Sequence, residues 1–165
     1  MRSVINHQMM FGRTDISAIV FDPKSRDDIP KILRGLQGIY TNEELRKRVF
    51  AILEEVRPDR KKGEGKADPN TGRPGTEQWA ILVLGVVRLG LNADYDRLHE
   101  LVNHHDTLRQ MLGHNDWSDK TSYDLQTIKD NVQLFTPELL DRINQAVVLA
   151  GHALVKKKSR RISYL

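Results

Sequence analysis

The sequence predicts an all-α protein: a helical bundle of six or seven helices, with a helix-turn-helix-like core and an extended N-terminal arm. Three observations predict it. Apolar residues recur at the 3.6-residue spacing of one helix face in stretch after stretch. One segment, Trp79–Val87, is apolar on every face, and a helix apolar all round has to be buried by others. Capping residues, prolines and glycines stand where the stripes begin and end. The buried run is too short to cross a bilayer, which takes about 20 residues.

Taken in order, residues 1–22 carry Phe11, Ile16, Ile19, Val20 and Phe21 without helical spacing. They read as an extended arm, at most a short strand, that packs on its own core or on a second subunit. Asp28 followed by Pro30 opens a helix, striped by Ile29, Ile32, Leu33, Leu36 and Tyr40 and weakened by Gly35 and Gly38. Thr41 and Glu44 have the spacing of a capping box for a second helix with Leu45, Val49, Ile52, Leu53 and Val56 on one face, ended by Pro58. Residues 1–56 thus form an arm and a helical hairpin, which reads most simply as scaffold. Residues 57–75 hold three prolines, four glycines and no Val, Ile, Leu or aromatic residue. They read as a flexible basic linker, because so little apolar surface cannot offset the entropy of ordering.

The core, residues 76–155, begins at Thr76, which is placed to cap the apolar helix, while Gly90 is placed to end it with Leu91 folding back. Asn92 or Asp94 starts a helix carrying Tyr95, Leu98, Leu101 and Val102. Asp106 starts another with Leu108, Met111 and Leu112, closed by Gly113. HNDWSDK is a loop. Ser122 is a candidate cap for a helix whose inner face is Leu125, Ile128, Val132 and Phe135. Thr136, Pro137 and Glu138 are a cap, a first-turn proline and a first-turn acid for the last helix. That helix is striped by Leu139, Leu140, Ile143, Val147, Ala150 and Leu154, and residues 156–165 follow as a basic tail.

Composition narrows the function. Zero cysteines exclude disulfides and thiolate metal sites and suit a reducing cytoplasm. MRSVINHQMM lacks the apolar stretch of a secretory signal. The net charge of +4 is unevenly distributed: Lys156, Lys157, Lys158, Arg160 and Arg161 are five positives, and the linker adds six basic against three acidic residues.

The motif search first eliminates. His99-Glu100 with His104 approaches the zinc-protease HExxH, but the second histidine stands at i+5, about 140° from the first around the helix, where ligation from one face needs i+4. His104, His105, His114 and Asp116 read as boundary and loop residues rather than a metal cluster. No phosphate loop, Ser/His/Asp set or cysteine nucleophile is apparent. The sequence assigns no catalytic residue, metal or cofactor.

GRPG, the buried helix ending VRLGLN, DYDRLHELVN, TLRQMLGH and SYDLQTIKDNVQLFTPELLDRINQAVVLAGHALVKKK together resemble the N-terminal domain of bacterial insertion-sequence transposases with a DDE catalytic domain, of the ISNCY-like group. The resemblance extends back through FGRTDIS and FDPKSRDDIP and covers roughly residues 4 to 158. It implies a domain that binds the terminal inverted repeats of its element and helps to pair subunits as a homo-oligomer. Family members continue for hundreds of residues into the catalytic domain, so the ending SRRISYL reads as a truncation, by frameshift, stop codon or chosen boundary, and the chain as catalytically silent. For DNA, the candidate reader is the helix from Ser122, with Gln126, Thr127, Lys129, Asn131 and Gln133 outward; Gln and Asn side chains pair bidentately with adenine. Lys120, Arg73 and the basic tail (Lys156, Lys157, Lys158, Arg160, Arg161) are candidate phosphate contacts, which give affinity without sequence information. Against a reader here, Asp116 to Arg142 contains six acids and three bases. The alternative is a subunit-pairing module of a transposase with no sequence-specific DNA binding of its own.

Overall fold

The computed structural model describes residues 14–55, 76–114 and 119–162, with the side chains of 153–162 excepted. Among the described residues seven α-helices follow one another: α1 (Ile29–Thr41), α2 (Glu43–Glu54), α3 (Gln78–Gly90), α4 (Tyr95–His104), α5 (Asp106–Met111), α6 (Leu125–Val132) and α7 (Pro137–Ile162). A short 3₁₀ turn, Ile16–Ala18, precedes them, and the described residues contain no strand. The all-α bundle expected from the periodicity is what forms.

The sequence signal for α3 was its lack of a polar face, and the other helices supply the cover. Residues 78–85 and Val87 are all buried, with α1, α2, α4 and α6 packed around them. Trp79 anchors the first turn. Its ring meets Tyr40 of α1 at 5.4 Å and Phe50 of α2 at 5.9 Å, both tilted, while Nε1 donates to the Met111 carbonyl at 3.2 Å. Aromatic pairs of this geometry contribute beyond their buried area, and the indole proton needs a partner when buried.

Two glycines in α3 permit close approach of neighbouring side chains, and for Gly90 this differs from the expected role. Gly90 does not stop the helix; it is its last residue, and a Cβ there would lie 2.7 Å from Ile32 Cδ1 of α1. The stop comes two residues later at Asn92, whose φ of 48° is left-handed. The Asn92 N–H donates to Leu89 O and the Ala93 N–H to Arg88 O, the paired bonds of a Schellman ending. Gly85 lets α3 approach Phe135, whose Cδ1 would be 2.7 Å from an added Cβ.

Other caps shift by a residue or two. Asn42, not Thr41, caps α2: its Oδ1 accepts from the Leu45 N–H at 3.1 Å. Thr41 ends α1, donating to Gln37 O, and Glu44 pairs forward with Arg48. α3 starts after Glu77 rather than on a Thr76 cap. Asp94 caps α4 through the Arg97 N–H, the second of the two residues expected. Gly113, at φ 90°, ends α5 as expected. Thr136 caps α7 with Pro137 behind it. The Glu138 N–H and the Thr136 hydroxyl hold the Glu138 carboxyl below its ordinary range, as suits an acid at a helix start.

The described part of the arm, from Thr14 on, packs on its own core. Ile16, Ile19 and Phe21 are buried, and Gln37 Nε2 of α1 donates to the carbonyls of Ile16, Ser17 and Ile19. α7 lies along α2 and is tied to it by a bidentate Arg142–Glu55 pair at 2.6 and 2.8 Å. It continues as helix to Ile162, so the basic residues 156–161 extend a helix rather than forming a flexible tail. Residues 1–13, Val56 and the linker 57–75 with Arg73, residues 115–118 of the HNDWSDK loop with Asp116, and residues 163–165 lie outside the described residues.

Candidate nucleic-acid interface

The chain from α4 to α6 is held by side chains that bridge to backbone. α4 and α5 are separated by a single residue, His105, whose Nδ1 accepts from the Leu108 N–H and caps α5. From α5, the Arg109 guanidinium donates to Val102 O of α4 and to Asp119 O and Thr121 O of the loop ahead of α6. Asn103 of α4 clasps the same loop from the other side. Its Oδ1 accepts from the Tyr123 N–H at 2.8 Å, and its Nδ2 donates to Tyr123 O at 3.1 Å and His99 O at 2.9 Å.

His114 completes this support. Nδ1 lies 2.5 Å from Asp119 Oδ2 and Nε2 2.8 Å from Tyr123 Oη, and the two rings meet edge-on at 5.5 Å. Burial pushes the Asp119 carboxyl up, but hydrogen bonds from Thr121 and His114 and the positive charge of His114 outweigh it. The carboxyl is held well below the ordinary range. Thr14, at the start of the described arm, donates to His114 O. Two of Asn103's bonds and one of His114's fall on Tyr123 itself, the residue before the cap of α6, and those of Arg109 hold the loop just ahead of it.

That cap is Asp124, not Ser122: its Oδ2 accepts from the Gln126 and Thr127 N–H groups at 3.0 and 3.2 Å. Ser122 is exposed in the loop, one residue before Tyr123, and Lys120 is exposed beside it. On α6 the inner face is Ile128 and Val132 with Asn131, which is 7% exposed and donates to Thr127 O. Asn131 therefore points inward and leaves the set of candidate readers. Gln126, Thr127 and Gln133 are exposed, and Lys129 is half-buried. The acids on this face are engaged: Asp124 by its own helix, Asp130 by Gln126 Nε2 at 2.7 Å. Leu125, expected on the inner face, is half-buried.

The structure adds two residues that sequence reasoning missed. Arg88, in the last turn of α3, stacks its guanidinium 4.3 Å from the centroid of the Tyr95 ring, and Lys129 Nζ lies 6.0 Å from the same centroid. Arg88 and Tyr95 are seven positions apart across a helix break, so no single-helix pattern links them. Both were legible only as stripe or terminus residues. Lys156, Lys157, Lys158, Arg160 and Arg161 are on the last turns of α7.

No group of three His, Cys, Asp or Glu side chains able to hold a metal ion occurs among the described residues, and no helix among them is long and apolar enough to cross a membrane. No family model, curated protein or solved structure matches the chain.

Proposed function

We propose that this chain is the DNA-binding N-terminal domain of a transposase, which recognises the ends of an insertion element and does not itself cut or join strands. The observation that carries the reading is the presentation of α6. It is an eight-residue helix clamped at its N-terminus by Asn103, Arg109 and His114, with Gln126, Thr127 and Gln133 turned to solvent. Rigid support behind an exposed polar helix is what base readout in the major groove requires. The exposed amide and hydroxyl groups suit base edges, and Lys120 stands at the entry to α6 for the backbone. The family resemblance of the sequence points to the same role.

The test is selection from a randomised duplex pool followed by fluorescence anisotropy on the selected and on an unrelated duplex. Replacing Gln126 and Thr127 together by Ala should remove about 1–3 kcal/mol of preference for each lost base contact, with little change on the unrelated duplex. Full retention of preference by a folded double variant would place the reader on another helix.

The second reading, a subunit-pairing module without its own sequence-specific binding, is favoured by α7. Val148 and Leu149 are 55% and 60% exposed there. Selection that enriches no sequence, combined with a dimer in light scattering, would put this reading first.

A further inference from the structure

Arg88 is unusual among the basic residues of this protein. A guanidinium carries five N–H donors, yet that of Arg88 makes no hydrogen bond and no ion pair with any described residue, and its Nε is buried without a partner. The other half-buried arginines do pair: Arg109 spends its donors on three carbonyls, and Arg46, which also lies over a tyrosine ring, donates to Tyr40 O. Buried donors are nearly always paired, so an orphaned one calls for a partner outside the chain. A second cation is brought to the same place: Lys129 reaches the ring of Tyr95, on which Arg88 already stacks, and no carboxylate of the described residues pairs with either. Two like charges converging on one aromatic ring repel each other. The ring face offsets part of that repulsion, and an anion between or beside the cations would offset much more. The nearest acids in sequence are Asp94, Asp96 and Asp130. Asp94 accepts from the Arg97 N–H and Asp130 from Gln126, and none of the three forms an ion pair with Arg88 or Lys129.

We infer that Arg88 and Lys129, gathered on Tyr95, form a phosphate-binding site that takes a backbone phosphodiester of the DNA read by α6. The inference rests on the function proposed above and adds the residues that set the register of the helix on the duplex. Its placement is apt: Lys129 is on α6 itself, Arg88 on the buried α3, and Tyr95 opens α4. A phosphate held there would bind to three helices whose relative positions are fixed by the core. Arginine suits it because its planar fork matches two phosphate oxygens, and stacking on Tyr95 pre-orients that fork. Such a contact supplies affinity and register but reads no base.

The experiment has two arms on the full chain. In the first, inorganic phosphate is titrated at constant ionic strength while the side-chain Nε–Hε signal of Arg88 and the ring signals of Tyr95 are followed by NMR, with chloride as the control. A saturable shift with phosphate only, lost in Lys129→Gln, is expected. No phosphate-specific shift overturns the site. In the second, duplex affinity is measured against salt for Arg88→Gln and Lys129→Gln. Each should weaken binding equally on selected and unrelated duplexes and reduce the slope of log K against log salt by about 0.9. Should Arg88→Gln fail to fold, Lys129→Gln, a change at a half-buried residue, carries this arm. A phosphate shift with unchanged slopes in the folded variants, while sequence preference persists, overturns the assignment to DNA and leaves the proposed function standing. A phosphate shift with no duplex binding by the unsubstituted chain removes the proposed function and the DNA assignment together.

Discussion

Replacing Trp79 by Phe tests whether the short helix α5 depends on the buried α3. The indole is 1% exposed, and its Nε1 donates to Met111 O, one of the last carbonyls of α5, which by position have no partner within their own helix. Phenylalanine keeps an aromatic ring among Tyr40 and Phe50 but has no donor. A buried acceptor left unsatisfied costs about 1–3 kcal/mol, and the void left by the smaller ring on the order of 1 kcal/mol more. The expected loss is about 2–4 kcal/mol, a large share of the roughly 5–15 kcal/mol by which domains are stable. The melting temperature should fall by about 4–16 °C for a chain of this size. Urea unfolding followed by far-ultraviolet circular dichroism measures the loss. Amide exchange in α5 should accelerate more than in α1, because six residues do not make a stable helix alone. A loss below about 0.5 kcal/mol, or exchange unchanged in α5, would refute the idea that the indole holds α5 to α3.

Three further outcomes are expected. Gly85→Ala should destabilise more than Gly90→Ala: the first drives a Cβ into the Phe135 ring, the second meets only the Cδ1 end of Ile32, and both gain up to about 1 kcal/mol of helix propensity. Thermal melts that rank them the other way would contradict the packing. The depressed Asp119 carboxyl contributes stability that is complete above its unfolded pKa, near 3.9, and is lost as pH falls from there toward the folded value. Asp119→Asn should therefore be less stable at neutral pH and should flatten the decline below about pH 4; an unchanged acid limb would refute the account. Removing residues 156–165 takes away five positive charges, and should weaken binding similarly on selected and unrelated duplexes, with a slope reduced by up to about 0.9 per lost phosphate contact. A loss confined to the selected duplex would show that the end of α7 reads sequence.

The helices were legible because their stripes are long and their inner faces unambiguous. Leu33, Leu36, Val49, Leu53, Leu98, Val102, Ile128 and Ile143 are buried where the 3.6-residue period puts them. The caps were less legible, for a local reason. At 41–44 and 122–124 two polar residues one or two positions apart can each accept from the first turn, and only the direction of chain entry decides between Thr41 and Asn42 or between Ser122 and Asp124. Asn131 deceived for a different reason. It lies beside Val132 and three positions from Ile128, at the edge of the apolar arc, where the period alone assigns neither side. The glycines of α3 carry two meanings in sequence, helix end and close approach, and it is Ile32 and Phe135, distant in the chain, that select the second.

What the sequence hid most completely is the support of α6. Arg109, Asn103 and His114 read as surface residues of helices and loops, yet each spends its polar atoms on the segment from Asp119 to Tyr123. A side-chain donor that pairs with a distant carbonyl leaves no periodic trace, because the partner carries no side-chain signature. The consequence is directional. Apolar packing of Ile128, Val132 and Phe135 sets the distance of α6 from the core, while these polar bridges fix where its first turn begins. Weakening them should thus alter the presentation of Gln126 and Thr127 before it alters the fold, and this separates the clasp from the core as a determinant of binding.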